Sequence, residues 1–244
     1  MKIDINCDVG EGIQNEHLIM PFISSCNIAC GGHFGDKNTI NKTIELAIKN
    51  ELLIGAHPSF SDKNNFGRKF LDISEVTLKQ SIEAQFALFL DCMANFNQKM
   101  HHVKPHGALY NLIAQDKKEA QKFIRIIKKY VKDCFLYVPY RSEIATVALE
   151  NKIKIKYEAF ADRNYNEDLS LVSRTHKNAL ILNPKDVVKH VLNIVKTNRV
   201  KTVFGLEKEL KAATFCLHGD TENVIEIASI LAAELKKNGI AIGA

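Results

Sequence analysis

The chain has 244 residues, of which 46% are hydrophobic and 25% charged, and its formal net charge is +5. This composition is typical of a globular protein that can bury a sizeable core. No apolar run approaches the ~18 residues that a membrane span needs. The basic excess is spread over helix-like segments such as Lys128-Lys129, without the dense basic face and interleaved aromatic residues of a nucleic-acid-binding protein.

The amino terminus and the cysteines indicate a cellular compartment. Residues 1–6 lack an extended apolar stretch and include Asp4, so they do not predict a signal peptide. Six cysteines are scattered along the chain and form no Cys-x-x-Cys pair. This usage predicts reduced thiols in a cytoplasmic protein.

Short apolar runs alternate with helical patterns along the chain. Strands are predicted over residues 2–8, 24–30, 52–56, a short stretch from 102, 135–139, 154–158, 200–204 and 213–217, with a further apolar run at 179–182. Helices are predicted after Asp36 to about Asn50, over 74–95, 117–130, 142–151 and 184–196, and from a cap at Asp220 or Thr221 to Gly239. Residues 164–178 are irregular and polar, as in a flap.

This alternation, without a long linker or a break in composition, predicts one α/β domain over residues 1–244. Seven or eight strands with outer helices favour a TIM-like parallel barrel. An open doubly wound sheet is the alternative, and both architectures place their sites at the carboxyl ends of the strands.

The stretch His102-Val-Lys-Pro-His106 is the clearest point at which polar groups gather at a strand end. Side chains alternate faces along a strand, so His102, Lys104 and His106 are expected on one face. Pro105 and Gly107 interrupt the ladder of hydrogen bonds. In the same way, Asp4, Asn6 and Asp8 share the polar face of the first strand, which is costly to bury unless each group is hydrogen-bonded or functional.

The candidates for chemistry share a position at predicted strand ends. They are Asp8, His33, His57, Lys104, His106, Glu158, Asp162, Arg163, His218 and Asp220. Singly, each has a simpler interpretation: a strand-end histidine can be structural, Asp162-Arg163 can be a surface ion pair, and Asp220 can be a helix cap. Together they predict one shared active site.

A catalytic metal is one hypothesis for this site, with Asp8, His57, His106 and His218 as ligands. No compact His-x-x-His or His-Glu-x-x-His motif supports it, so the requirement for a divalent metal stays open. The chain has no Gly-x-Ser-x-Gly and no P-loop, and Gly10-Glu-Gly12 lacks the third glycine of a dinucleotide fingerprint.

Seven stretches resemble the LamB/YcsF family, in the same order over nearly the whole chain. They are Asp4-Ile-Asn-Cys-Asp-Val-Gly-Glu-Gly12, Ser24-Ser-Cys-Asn-Ile-Ala-Cys-Gly-Gly-His33, Ile54-Gly-Ala-His-Pro-Ser59, Asn65-Phe-Gly-Arg68, His102-Val-Lys-Pro-His-Gly-Ala-Leu-Tyr110, Phe160-Ala-Asp-Arg-Asn-Tyr165 and Cys216-Leu-His-Gly-Asp220. The resemblance implies an irregular parallel barrel of the glycoside hydrolase/deacetylase type. It also implies ATP-dependent opening of 5-oxo-L-proline (pyroglutamate) to L-glutamate, with ADP and phosphate, carried out together with 5-oxoprolinase subunits B and C.

Two places depart from the family pattern. The family usually reads Gly-Phe-His-Ala-Gly-Asp where this chain has Gly31-Gly-His-Phe-Gly-Asp36, so aromatic bulk has moved across His33. The family's Leu-Val-Pro-Arg is Leu171-Val-Ser-Arg174 here, which loses a rigid turn. Because His33 and Arg174 are retained, the departures affect the expected loop geometry more than the expected activity.

The implied reaction assigns a role to each candidate. Asp8, His57 or His106 is expected to activate water, and Lys104 to stabilise charge on oxygen. The expected substrate-binding residues are Asn6, His33, Arg68, Glu158, Asp162, Arg163, Arg174, His218 and Asp220. ATP is expected as cosubstrate, bound with or by the partner subunits. Two alternatives are a stand-alone metal-dependent deacetylase or amidohydrolase and a non-catalytic subunit that only binds the substrate.

Overall fold

A computed structural model describes residues 1–243, in which strands and helices alternate. The strands are β1 (Lys2–Val9), β2 (Ser25–Ala29), β3 (Leu53–His57), β4 (His102–Val103), β5 (Phe135–Pro139), β6 (Ile155–Phe160), β7 (Arg199–Lys201), β8 (Glu207–Glu209), β9 (Thr214–Leu217) and β10 (Ala241–Ile242). The helices are α1 (Glu16–Ile19), α2 (Lys37–Lys49), α3 (Glu75–Asn95), α4 (Gly107–Gln115), α5 (Lys117–Ile127), α6 (Glu143–Glu150), α7 (Pro184–Thr197) and α8 (Val224–Lys237). None of the described helices is long and apolar enough to cross a membrane.

The main sheet closes on itself. Its strand order is β10-β1-β2-β3-β4-β5-β6-β9, and β1 also pairs with β9 in parallel, with Asp4 opposite Thr214. Seven strands of the described chain therefore form a closed parallel barrel, with β10 added alongside the start of β1. The predicted TIM-like barrel is confirmed, and the open doubly wound alternative is wrong.

Contacts along the chain define two compact units. The first comprises Met1–Cys7, Gln14–Ser25 and the chain from Tyr157 onward, and the second comprises Asp8–Ile13 and Cys26–Lys156. In the first unit the apolar stripe of α8 is buried as predicted, with Ile227 and Leu231 among its members. In the second unit, Ile40 and Ile44 form the buried face of α2. The prediction of a single domain over the whole chain stays a prediction.

Polar side chains on β1 of the first unit are buried and satisfied. Asp4 accepts hydrogen bonds from the hydroxyls of Ser24, Ser25 and Thr214 at 2.6–2.9 Å. The amide of Asn6 donates to Thr214 and to a carboxylate on β6. The polar face expected from the alternation of β1 therefore enters the protein interior, because hydrogen bonds offset its desolvation.

Two predicted strands differ from the structure. The strand expected over residues 200–204 is Arg199–Lys201, and it pairs antiparallel with Glu207–Glu209 in a separate two-stranded sheet. Charged side chains at both ends of this strand are exposed, which suits a surface hairpin rather than a buried barrel strand. The apolar run at 179–182 forms no strand, and within it Leu180 makes one isolated bridge to Arg163.

Two helix starts also differ. Helix α4 begins at Gly107, directly after the strand-end motif, because Leu109, Tyr110 and Ile113 bury one face of it. In the sequence, this glycine indicates only an interruption of a strand. The caps predicted for α8, Asp220 and Thr221, are wrong: Asn223 is the N-cap residue, at φ +57°, and makes no side-chain capping bond.

Candidate active site

Lys104 and Asp8 form a buried ion pair in the second unit. The Lys104 Nζ lies 2.9 Å from Oδ1 of Asp8, and the two residues are 2% and 8% exposed. The same carboxylate oxygen accepts a hydrogen bond from Nδ2 of Asn27 at 2.7 Å. Asp8 is the penultimate residue of β1 and Lys104 follows β4, so the strand ends position both charges. Buried charges of opposite sign persist when they are paired in this way.

His102 supports this pair through Asn27. Its Nε2 lies 2.6 Å from Oδ1 of Asn27, which can only accept, so Nε2 carries the proton. The imidazole stacks on Tyr137 with a centroid distance of 4.0 Å. Burial lowers the pKa of His102 well below its ordinary value, and the neighbouring His101 acts in the same direction. Gly55 lies opposite His102 in register, and any Cβ there would overlap the imidazole.

Four further side chains of this unit converge beside Asp8. Glu11, His33, His57 and His106 are all buried, and each offers one ligand atom within 4.8 Å of the others. Oε1 of Glu11 lies 2.8 Å from Nε2 of His33 and 3.3 Å from Nδ1 of His106. Nε2 of His57 lies 2.9 Å from Nδ1 of His106. This cluster, called the Glu11–His cluster below, holds nitrogen and carboxylate atoms that face one another.

Burial keeps at least two of these histidines neutral. Desolvation, followed by the neighbouring His57, lowers the pKa of His33 to about 3, and the Asp8 carboxylate opposes this shift only partly. Burial also lowers the pKa of His106 well below its ordinary value, with His57 and His33 adding to the effect. The rings of His33 and His106 stack with centroids 3.7 Å apart. At neutral pH these two imidazoles therefore offer lone pairs rather than positive charge.

The loop that contains Gly67 and Arg68 approaches the Glu11–His cluster closely and carries one exposed cation. Gly67 has φ +62°, and a Cβ at this position would lie 3.0 Å from both Cδ2 of His106 and Cβ of His33. Glycine is therefore required for this close approach. Arg68 is exposed, and its guanidinium lies 5.0 Å from the ring centroid of Phe66. An exposed guanidinium can bind a carboxylate or phosphate in bidentate fashion.

The first unit contains a separate group of buried polar residues around Asp162. Its carboxylate accepts hydrogen bonds from Nδ1 of His218 at 2.8 Å, from the His218 backbone N–H at 3.1 Å and from the Thr221 hydroxyl at 2.5 Å. Burial alone would raise the pKa of Asp162, but the His218 ring and these hydrogen bonds lower it below its ordinary value. The interpretation of Asp162-Arg163 as a surface ion pair is wrong, because Asp162 is buried and binds His218.

Arg163 anchors the irregular segment over residues 164–178. Its Nη2 donates to the carbonyl oxygen of Val172 at 2.6 Å, and its Nε donates to that of Ala179 at 3.3 Å. Nearby, Arg174 forms an ion pair with Asp220 at 3.1 Å, and each side chain is about one-third exposed. The hydrogen bonds of Arg163 are structural, whereas the Arg174–Asp220 ion pair leaves charge accessible to solvent.

The structure therefore divides the predicted site residues between the two units. The second unit brings together Asp8, His33, His57, Lys104 and His106, with Arg68 on the adjoining loop. The first unit contains Asn6, Glu158, Asp162, Arg163, Arg174, His218 and Asp220. Their binding of substrate stays a prediction. Two of the four predicted metal ligands, His57 and His106, belong to the Glu11–His cluster. The other members of the cluster are Glu11 and His33, in place of the predicted Asp8 and His218.

Sequence reasoning missed Glu11, Asn27 and Thr221 as members of these groups. Glu11 follows Asp8 by three residues in a loop, where no periodicity indicates which way a side chain points. Asn27 lies on β2, in a strand whose five residues are all buried. A polar residue within such a strand is the signal that could have identified it.

Comparison with known proteins gives full-length matches. The sequence profile of the LamB/YcsF family matches residues 3–244. The A subunit of 5-oxoprolinase from Bacillus cereus (strain ATCC 10987 / NRS 248) is 39% identical over 246 residues, covering 98% of this chain and 97% of that protein. The protein of the same name from Bacillus cytotoxicus is 37% identical over 245 residues, with the same coverage. A crystal structure of a lactam utilization protein from Thermus thermophilus covers 100% of both chains, with 28% identity and a TM-score of 0.92.

Proposed function

Because this chain belongs to the LamB/YcsF family, we propose that it is the A subunit of an ATP-dependent 5-oxoprolinase. The proposed complex opens 5-oxo-L-proline to L-glutamate together with subunits B and C. The observation that carries the proposal is the alignment, over 98% of the chain, with relatives that bear the name of this 5-oxoprolinase component. The lactam utilization protein of the same fold gives independent support.

The chemistry explains why ATP would be needed. A lactam is a poor electrophile, and transfer of the γ-phosphoryl group to the amide oxygen creates a leaving group there. One water then attacks the ring carbonyl carbon, the carbon–nitrogen bond breaks with protonation of nitrogen, and a second water releases phosphate from the resulting acyl phosphate. The sum is glutamate, ADP and phosphate. Because the chain has no P-loop, we assign ATP binding to the complex with the partner subunits.

The buried pair supplies two of the required roles. Asp8 is the proposed general base, which accepts a proton from the attacking water. Lys104 is the proposed cation that stabilises negative charge as it develops on oxygen, in a site that already excludes water. The exposed guanidinium of Arg68 is the proposed ligand for the carboxylate or phosphate of the activated substrate.

The direct test is glutamate release from 5-oxoproline by this chain alone and with subunits B and C, in each case with and without ATP. Release that requires both ATP and the partners is the expected result. No release by the assembled complex with ATP would overturn the proposal.

A second candidate is a stand-alone metal-dependent amidohydrolase, which the Glu11–His cluster favours. It predicts hydrolysis of an amide by this chain alone, with a divalent metal and without ATP. Assaying this chain alone, with each divalent metal and without ATP, separates the amidohydrolase from the 5-oxoprolinase subunit. A subunit that only binds the substrate would bind 5-oxoproline and tolerate loss of the Asp8 carboxylate in the assembled complex.

A further inference from the structure

Nε2 of His57 and Nδ1 of His106 are buried and lie 2.9 Å apart, and their other hydrogen bonds decide whether either nitrogen carries a proton. Nδ1 of His57 lies 2.6 Å from the carbonyl oxygen of Lys104, and Nε2 of His106 lies 2.9 Å from that of Phe66. Carbonyl oxygens only accept hydrogen bonds, so both of these ring nitrogens carry protons. In neutral rings the other two nitrogens, Nε2 of His57 and Nδ1 of His106, then hold lone pairs only 2.9 Å apart. A proton or a metal cation between the two nitrogens relieves the repulsion of such a contact.

His33 adds a third lone pair to the same space. The Ser59 hydroxyl donates to the carbonyl oxygen of Phe60 at 2.9 Å and therefore accepts from Nδ1 of His33, also at 2.9 Å. This leaves Nε2 of His33 as an acceptor, and it lies 2.8 Å from Oε1 of Glu11. Three imidazole lone pairs and one carboxylate oxygen thus converge, and they repel one another unless protons or a metal cation lie among them.

We propose that the Glu11–His cluster is a binding site for one divalent transition-metal ion of the zinc class. Its ligands are Oε1 of Glu11, Nε2 of His33, Nε2 of His57 and Nδ1 of His106. In a tetrahedral site with bonds of ~2.0–2.1 Å, neighbouring ligand atoms are about 3.4 Å apart. The distances among these atoms include 2.8, 2.9, 3.3 and 3.8 Å. Small shifts of the side chains therefore suffice to form the coordination shell.

The surroundings of the cluster fix the ligands for this purpose. Each histidine donates its outer N–H to a backbone carbonyl or to Ser59, which sets its tautomer and ring orientation, as is usual for histidines that bind metal. Ser59 is held in turn by Gln85, whose amide accepts from the Ser59 N–H and donates to its carbonyl, both at 2.9 Å. The site is thus organised before an ion arrives.

The proposed ligand set differs from the one expected from strand ends, and it separates two roles. His57 and His106 hold the ion and cannot act as general bases, so that role remains with Asp8. Oδ2 of Asp8 lies 3.4 Å from Nε2 of His57, close enough to sense the charge of a bound ion. The inference depends on the four side chains and their hydrogen bonds, and it does not depend on the lactam substrate.

The test is metal binding by the purified full chain after exhaustive chelation. Zn²⁺ uptake is measured by calorimetry and elemental analysis, and Co²⁺ uptake by its visible absorption. We expect one ion per chain and an absorption spectrum typical of tetrahedral nitrogen and oxygen ligation. Glu11→Gln and His106→Gln are each expected to weaken binding at least tenfold. His176→Gln alters an exposed histidine outside the cluster and is the matched control, expected to bind like the wild type.

Nitrogen NMR of histidine-labelled protein gives a readout that does not rely on the variants. Addition of Zn²⁺ should shift Nε2 of His57, Nε2 of His33 and Nδ1 of His106 together, and leave their hydrogen-bonded partners protonated. A folded, chelated wild-type protein that takes up no Zn²⁺ or Co²⁺ would overturn the proposal. So would a proton shared between His57 and His106 that persists unchanged when Zn²⁺ is added. Neither readout measures turnover, so failure here is distinguishable from failure of the proposed 5-oxoprolinase function.

Discussion

Nζ of Lys104 and Oδ1 of Asp8 lie 2.9 Å apart, and both residues are buried. Removing one member of such a pair leaves the other charge buried. We expect Lys104→Met and Asp8→Asn each to lower the free energy of unfolding by about 3–5 kcal/mol. The double variant should be more stable than the sum of the two effects implies. Urea unfolding of all four proteins measures this coupling, and strictly additive effects would contradict it.

Loss of the Asp8 carboxylate should also remove most turnover. In the assembled complex with ATP, Asp8→Asn is expected to lower the rate of glutamate release ~10²–10⁴-fold, as is typical when a general base is lost. The matched control is Asp91→Asn, whose carboxylate pairs with Lys37 on the surface. Unfolding must be followed in parallel, so that lost turnover is not confused with lost protein. A folded Asp8→Asn complex working at the wild-type rate would exclude this role.

Gly55 should tolerate no side chain. A methyl group there overlaps the imidazole of His102, which would have to leave Asn27 and the Tyr137 ring. We expect Gly55→Ala to destabilise the protein by about 1–3 kcal/mol. Adding His102→Ala makes room for the methyl group. In urea unfolding, the double variant should therefore lose less free energy of unfolding than the two single variants lose together. A larger loss would count against the clash.

Arg163→Lys should loosen the segment over residues 164–178. A lysine ammonium cannot reproduce the two directed bonds that the guanidinium makes to Val172 and Ala179. Loss of about 1.5–3 kcal/mol from one charged hydrogen bond corresponds to roughly 10–160-fold faster local opening. Hydrogen exchange of this segment measures the change, with Arg199→Lys on an exposed strand as control. Equal exchange in both variants would show that Arg163 is not the anchor.

Stability should fall in mild acid because of His190. Its Nε2 donates to the carbonyl oxygen of Phe160 at 3.1 Å, and burial lowers the pKa of His190 from 6.5 to about 4. Between these values the unfolded chain binds a proton that the folded chain does not. This group therefore lowers stability as pH falls from about 6.5 to about 4, by up to about 1.4 kcal/mol per pH unit, and has no such effect above 6.5.

His190→Gln is the test of that pH dependence. Its amide can still donate to Phe160, but it does not titrate. Urea unfolding midpoints across this window should fall less steeply for the variant than for the wild type. Parallel curves would mean that His190 is not responsible.

Periodic features could be predicted from the sequence, because burial acts on them directly. The stripe of α8 reflects which side chains face the interior and is as predicted, and the polar face of β1 is buried and hydrogen-bonded. The site was predicted as far as strand ends determine it: Asp8, His57, Lys104 and His106 come together. Strand ends show which residues gather at a site, but not which atoms face one another.

The remaining parts depend on contacts between distant segments. Glu11 joins the histidines because its loop folds over them, and no local pattern encodes that direction. The sequence predicts Asp220 or Thr221 as the cap at the start of α8, but the Thr221 hydroxyl binds Asp162, 59 residues earlier in the chain. A short polar side chain satisfies a helix end or a buried carboxylate equally well, and only the tertiary structure decides between them.

The pairing of β1 with β9 has a consequence for synthesis of the chain. Asp4 binds the hydroxyl of Thr214 across 210 residues, and these two strands close the ring. At ~5–20 residues per second, a ribosome needs roughly 10–40 s to reach the second partner after the first has been made. Throughout that interval the edge of β1 that will meet β9 is an open template for other strands. The nascent chain therefore stays exposed to mispairing at this edge until β9 emerges.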